Sequence, residues 1–123
     1  MTNPLRGEVA LQLGDRTLTL KMGINALCAA EPMLGKKTRA ILDDLEDSVD
    51  GPAMDTIRIM VWAGLRAHHS EIHPFEVGEL MEAHGATRFL DAILSGLASA
   101  FGASAEGKKG ANPPKAGRKT GTG

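Results

Sequence analysis

From Gly7 to Met22 the chain reads GEVALQLGDRTLTLKM, with apolar and polar residues alternating and a single break at Gly14-Asp15. A period of two puts successive side chains on opposite faces of a strand. Val9, Leu11 and Leu13 therefore share one face of a first strand, and Leu18, Leu20 and Met22 share one face of a second. Gly14 supplies the positive φ that a two-residue hairpin loop requires. A loop at Gly14-Asp15 sets a register in which paired residue numbers sum to 29: Leu11 opposite Leu18, Val9 opposite Leu20, Glu8 opposite Lys21. A slip of one residue would turn the apolar set to the wrong face. The pattern predicts a hairpin over 8–21, and because an isolated hairpin is marginal in water, its apolar face must lie on another element.

Beyond Gly23 the spacing changes to three and four. A helix is expected over about 25–31, with Asn25 as N-cap, Ile24, Leu27 and Cys28 at core spacing, and Pro32 limiting its length. A second covers about 37–47, with Ile41, Leu42 and Leu45 on one stripe. A third, about 53–67, is apolar over more than half its circumference, which argues for burial on two sides or for a partner. His73-Pro74 opens a fourth over 74–84, marked by Phe75, Val77, Leu80 and Met81 and stopped at Gly85. The fifth, 86–101, carries Phe89, Leu90, Ile93, Leu94, Leu97 and Phe101 at helical steps. The expected fold class is α+β, mainly α: an N-terminal β-hairpin packed on a bundle of four or five short helices, forming one domain over residues 1–101. Residues 102–123 hold no aliphatic side chain larger than Ala. Such a segment buries too little surface to offset its ordering entropy, so a disordered, basic Gly/Pro/Lys tail is expected.

Charge divides at the same boundary. Nine Lys and Arg face fourteen Asp and Glu up to residue 102, and five face one beyond it, so an acidic body precedes a basic tail. The tail could neutralise a few phosphates. With no Tyr, one Trp and three Phe, however, the chain offers no stacking platform, and nucleic acid is not the expected partner. The single cysteine, Cys28, excludes an internal disulfide and every CxxC motif; it sits among Ala and Leu, where a small buried residue is expected. No apolar run approaches the roughly 20 residues a membrane span needs.

His68, His69, Glu71 and His73 gather potential metal ligands, but without the HExxH spacing that places two His and a Glu on one helix face. The acids Asp43, Asp44, Glu46, Asp47 and Asp50 lie near the end of the second helix, where the dipole disfavours them, and read as a solvated loop. No phosphate-cradling glycine cluster is present. No catalytic, cofactor or metal residues are expected, and the chain is read as a non-enzyme.

Arg6-Gly7-Glu8-Val9, the hairpin with Arg16 after its turn, the segment Ile24-Asn25-Ala26-Leu27-Cys28-Ala29-Ala30-Glu31, and Val61-Trp62-Ala63-Gly64-Leu65-Arg66 together give a chain that resembles the gene transfer agent family of small phage-tail proteins. These are similar to the tail assembly chaperones of long-tailed phages. The resemblance spans about residues 4–101 and implies binding to a tape measure protein and recruitment of tail tube subunits, the major tail protein, in the cytoplasm of a bacterial host or on the particle itself. A structural tail tube subunit is the alternative, and a small DNA-binding regulator the second. For partner binding the candidate residues are Gln12, Thr17 and Thr19 on the outer face and edges of the hairpin, which could also pair copies of the chain, and Met54, Met60 and Trp62 on the third helix. Met22, Met54, Met60 and Met81 would make a helix-binding groove adaptable.

Overall fold

The hairpin forms in the register its alternation dictates. In the computed structural model, which describes residues 6–102, β1 (Glu8–Leu13) and β2 (Arg16–Lys21) pair antiparallel, from Glu8 opposite Lys21 to Leu13 opposite Arg16. Gly14 turns the chain at φ 65, and Met22 N–H donates to Gly7 O at 2.9 Å to extend the ladder at its open end. Leu11, Leu13, Leu18, Leu20 and Met22 are buried, each side chain contributing roughly 1.5–3 kcal/mol by leaving water.

Five helices take up that face: α1 (Ile24–Leu34), α2 (Thr38–Leu45), α3 (Met54–Leu65), α4 (Pro74–His84) and α5 (Ala86–Phe101). α3 is central and packs against the other four helices and β2, while α5 lies on both strands. The fold class expected from the sequence is therefore the one observed. The basic tail expected over 102–123 lies, apart from Gly102, outside the described residues.

The breadth of apolar surface on α3 is resolved by burial within the domain. Eight of its twelve residues are buried, among them Thr56, Gly64 and Met60, the last 0% exposed. Small residues let the layers approach. A Cβ at Gly64 would collide with Met22 Cε, and one at Gly96 on α5 would lie 2.5 Å from Met22 Cγ, so the two glycines make the slot that holds Met22.

The stripe expected for α1 is rotated, while those of α2, α4 and α5 face inward as expected but are narrower at their ends. In α1 the core residues are Ala26, Leu27 and Ala30; Ile24 is 65% exposed and Cys28 is also exposed. The alanines pack closely on α3, which turns the larger Ile24 and the thiol outward. Gly23, not Asn25, occupies the N-cap position. Pro32 does not stop α1, because it sits in the last turn and the bond it forgoes is to the carbonyl of exposed Cys28, which water can satisfy. Gly35, left-handed at φ 66, ends the helix by donating to Glu31 O. Phe75 and Phe101, both expected in apolar stripes, are 73% and 45% exposed, and Leu94 is also exposed. On α5 the inward face is Phe89, Ala92, Ile93, Gly96 and Leu97, the small pair admitting the hairpin where larger side chains would hold it away.

The acids near α2 are partly structural. Asp44 accepts the Ala53 N–H at 3.0 Å, serving the start of α3 from the neighbouring helix, and Asp47 Oδ1 accepts from Val49 and Asp50 N–H. Glu31 caps α2 in the same manner, its Oε2 accepting from Thr38 Oγ1 at 2.7 Å and Thr38 N–H at 2.9 Å. None of the five helices has a side-chain cap from its own N-cap residue, so these borrowed acceptors replace local capping for two of them. The Thr38 hydroxyl, its N–H and Lys37 hold the Glu31 carboxyl below its ordinary range. The buried Thr56 hydroxyl, the Ala53 N–H and Lys36 do the same for Asp44.

Groups with depressed folded pKa values contribute stability that is full above the ordinary carboxylate range, near pH 4, and is lost as pH falls through the folded values. Urea unfolding at pH 7 and pH 3 is expected to show the wild type losing stability on acidification. Glu31→Gln and Asp44→Asn should each be less stable than wild type at pH 7, with the gap narrowing at pH 3. A gap independent of pH would exclude the capping role.

Candidate functional site

Each hairpin edge carries one side chain that satisfies an outward backbone group. In an antiparallel ladder alternate pairs turn their N–H and C=O away from the partner strand. Gln12 and Thr19 are such positions. Arg88 Nη1 donates to Gln12 O at 2.8 Å on the β1 edge, and Thr19 N–H donates to His69 Nε2 at 3.0 Å on the β2 edge. The second bond requires His69 to carry its proton on Nδ1. His68 Nε2 lies 2.8 Å from Glu8 Oε2, so the two adjacent histidines hold opposite strands at the hairpin's open end. Among the described residues no group of three or more His, Cys, Asp or Glu is placed to hold a metal, and no helix is long and apolar enough to cross a membrane.

The remaining hairpin candidates sit together. Gln12 Nε2 donates to Gly14 O at 2.9 Å and its Oε1 accepts from Thr17 Oγ1. Gln12 and Thr17 are exposed and Thr19 half-buried on the outer face.

The α3 candidates are not brought together. Met54, at its first turn, is 64% exposed, and Trp62, two turns further on, is half-buried beneath the Arg66 guanidinium, 5.0 Å from the ring centroid. Met60 is a core residue with no access to a partner, because the face of α3 that carries it is enclosed by other elements. Met22 and Met81 are also buried, at 1% and 8% exposed, and meet a groove only as part of its wall, so of the four methionines expected to line a groove Met54 alone is exposed.

Two grooves lie at opposite ends of α3 and α5. One, of about 650 Å³, runs between the first turns of α3 and α5 and the side of α4, where Gly78 leaves room beside Arg58. Met54 and Met81 line it together with Glu82 and the ion-paired Asp55 and Arg58. The other, of about 570 Å³, lies at the hairpin's open end between the start of α1 and the C-terminal ends of α3 and α5. Its alanines, Ala26, Ala29, Ala63 and Ala100 among them, are joined by the exposed Ile24 and Phe101, and its charged lining is Arg6, Lys21 and Arg66 with no carboxylate.

Sequence reasoning missed this second groove because its three cations lie far apart along the chain, on the segment before β1, the end of β2 and the residue after α3. The one local hint is Ile24, a large aliphatic beginning a helix whose core face is otherwise largely alanine. No family model, curated protein or solved structure matches the chain.

Proposed function

We propose that this chain works by holding other polypeptides during assembly of a phage or gene-transfer-agent tail, as a tail assembly chaperone that binds the tape measure protein and helps recruit tail tube subunits in the bacterial cytoplasm, without catalysing bond chemistry. The observation that carries this reading is the exposure of large apolar side chains at both grooved ends of the body, Ile24 and Phe101 at one and Met54 at the other. Large apolar groups held beside concave surfaces favour polypeptide partners. The resemblance of residues 4–101 to the gene transfer agent tail family supplies the partner class. A structural role in a tail tube is the weaker reading: the sheet of the described residues has two strands, too few for a wall built by joining sheets edge to edge.

The test is co-purification of the full chain with the tape measure protein and the major tail protein of the same gene cluster. Retention of either supports the proposal; retention of neither overturns it. The hairpin's contribution is separable. Gln12→Pro removes an outward N–H while leaving the carbonyl that Arg88 engages, whereas Thr19→Pro also removes the donor to His69. If a partner strand or second copy adds to the β1 edge, Gln12→Pro should lower retention or self-association at least tenfold with helical circular dichroism unchanged. Undiminished association would remove the edge from the mechanism.

A further inference from the structure

We infer that the groove at the hairpin's open end receives an acidic amphipathic helix of a partner polypeptide, its apolar side chains lying on Ile24, Phe101 and the alanine floor and its carboxylates meeting Arg6, Lys21 and Arg66. This rests on the reading above that the partner is a polypeptide, and goes beyond it in assigning the surface and the charge of what it binds.

Charge sets this groove apart from the rest of the body. Up to residue 102 the chain has nine cationic side chains against fourteen anionic ones. Three of the nine line this one groove and none of the fourteen does. Among the described residues none of the three cations has a carboxylate within ion-pair distance; the close contacts of that kind are Arg58 with Asp55 and the His68 ring nitrogen with Glu8. Glu8 faces Lys21 across the ladder, yet its Oε2 is engaged by His68. Arg6 uses Nε on Ser99 O at 3.5 Å, and Arg66 rests on the Trp62 ring, which fixes its guanidinium without neutralising it. The first turn of α1 opens onto the same groove with no side-chain cap at Gly23, adding the positive end of a helix dipole. The carboxyl-terminal ends of α3 and α5 offset part of this field, but formal charges outweigh half-charges.

The floor decides among anionic occupants. Alanines with an exposed Ile and Phe suit the apolar stripe of a helix, which anchors through residues three, four and seven apart, and would leave a phosphate backbone lying on hydrocarbon. The volume falls within the usual range of binding clefts, roughly 300–1,000 Å³. The sequence beyond Gly102 carries five cations against one acid, the sign of the groove, so charge complementarity favours an acidic partner over it.

The experiment uses the purified full chain and two synthetic helical peptides with one leucine stripe, one carrying Glu and the other Lys on the polar face, each fluorescently labelled and followed by anisotropy. The Glu peptide is expected to bind at least tenfold more tightly than the Lys peptide, and to weaken at least tenfold between 0.05 and 0.5 M NaCl. Lys21→Glu/Arg66→Glu should abolish the preference, while the distant pair Arg16→Glu/Arg39→Glu should keep it, with circular dichroism confirming that each variant is folded. Equal affinity for the two peptides, or an unaltered preference in Lys21→Glu/Arg66→Glu, overturns the inference. So does displacement of the Glu peptide by single-stranded oligonucleotide, or concentration-dependent self-association that the same double substitution removes, which would make nucleic acid or a second copy the occupant. The two readings fail separately: natural partners retained equally by wild type and Lys21→Glu/Arg66→Glu sink this inference alone, and peptide binding without capture of any tail protein sinks only the tail-assembly role.

Discussion

Met22→Ala is expected to destabilise the domain by about 4–5 kcal/mol, the upper part of the range for truncating a buried methionine, and so to remove a large share of the 5–15 kcal/mol by which such domains are stable. The reason is what surrounds it. Met22 is 1% exposed and lies between Gly64 on α3 and Gly96 on α5, close enough that a Cβ on either glycine would strike it. Residues without side chains cannot lean in to fill the space, so the cavity stays open. The same geometry predicts a reversal of sign. In the wild type, Gly64→Ala meets Met22 Cε, the far end of a flexible chain, and should cost about 1–2 kcal/mol even after the better helix propensity of Ala. In the Met22→Ala background the added methyl fills vacated space and should stabilise by about 1 kcal/mol. The coupling of roughly 2–3 kcal/mol is measurable by a double-mutant cycle in urea, with Trp62 fluorescence as the probe. Additive effects would show that Met22 does not fill this slot.

The hairpin was legible in the sequence because its information is local. A period of two, one glycine-containing break and a charge pair at the open end specify the register without reference to the helices. Element positions in the helical part were also legible, since α4 and α5 begin and end where Pro74, Gly85 and the three- and four-residue spacing place them. Which face of each helix turns inward was less so. Ile24 is more apolar than the alanines buried on α1 in its stead, but alanine wins where backbones approach closely, and closeness is a property of the neighbouring element. For Met60, a helix apolar around most of its circumference leaves the environment undetermined; only the placement of α3 among the other elements buries it. Interactions joining distant segments were not legible either: Glu31 serving Thr38, Asp44 serving Ala53, and the histidines clasping the hairpin rest on placement in space. The cationic groove belongs to the same class. Arg6, Lys21 and Arg66 share no periodicity, and a chain whose body is acidic gives no reason to seek a positive surface.

Gly7→Ala is expected to cost about 4 kcal/mol, and its effect separates two kinds of glycine requirement. Gly7 has φ +86, a region that costs an ordinary residue about 1–2 kcal/mol, and its added Cβ would overlap Met22 O, a backbone atom, while also approaching Ala100 Cβ at 3.2 Å. The overlap cannot be relieved locally. Gly7 O accepts the Met22 N–H at 2.9 Å and Gly7 N–H donates to Ser99 Oγ at 2.9 Å, so moving this residue breaks the open end of the hairpin away from α5. Gly35 is the internal control, because it also has positive φ, at +66, but a Cβ there meets nothing within 4 Å. Gly35→Ala should therefore cost only the conformational part, about 1–2 kcal/mol, and the difference between the two variants, about 2–3 kcal/mol by urea denaturation, measures the steric part. Equal losses would mean that the hairpin and α5 are not held together at Gly7. Since Arg6 and Lys21 flank this junction and Ala100 and Phe101 close it from α5, Gly7→Ala should also weaken acidic-peptide binding under conditions where the domain remains folded, with Gly35→Ala leaving it intact.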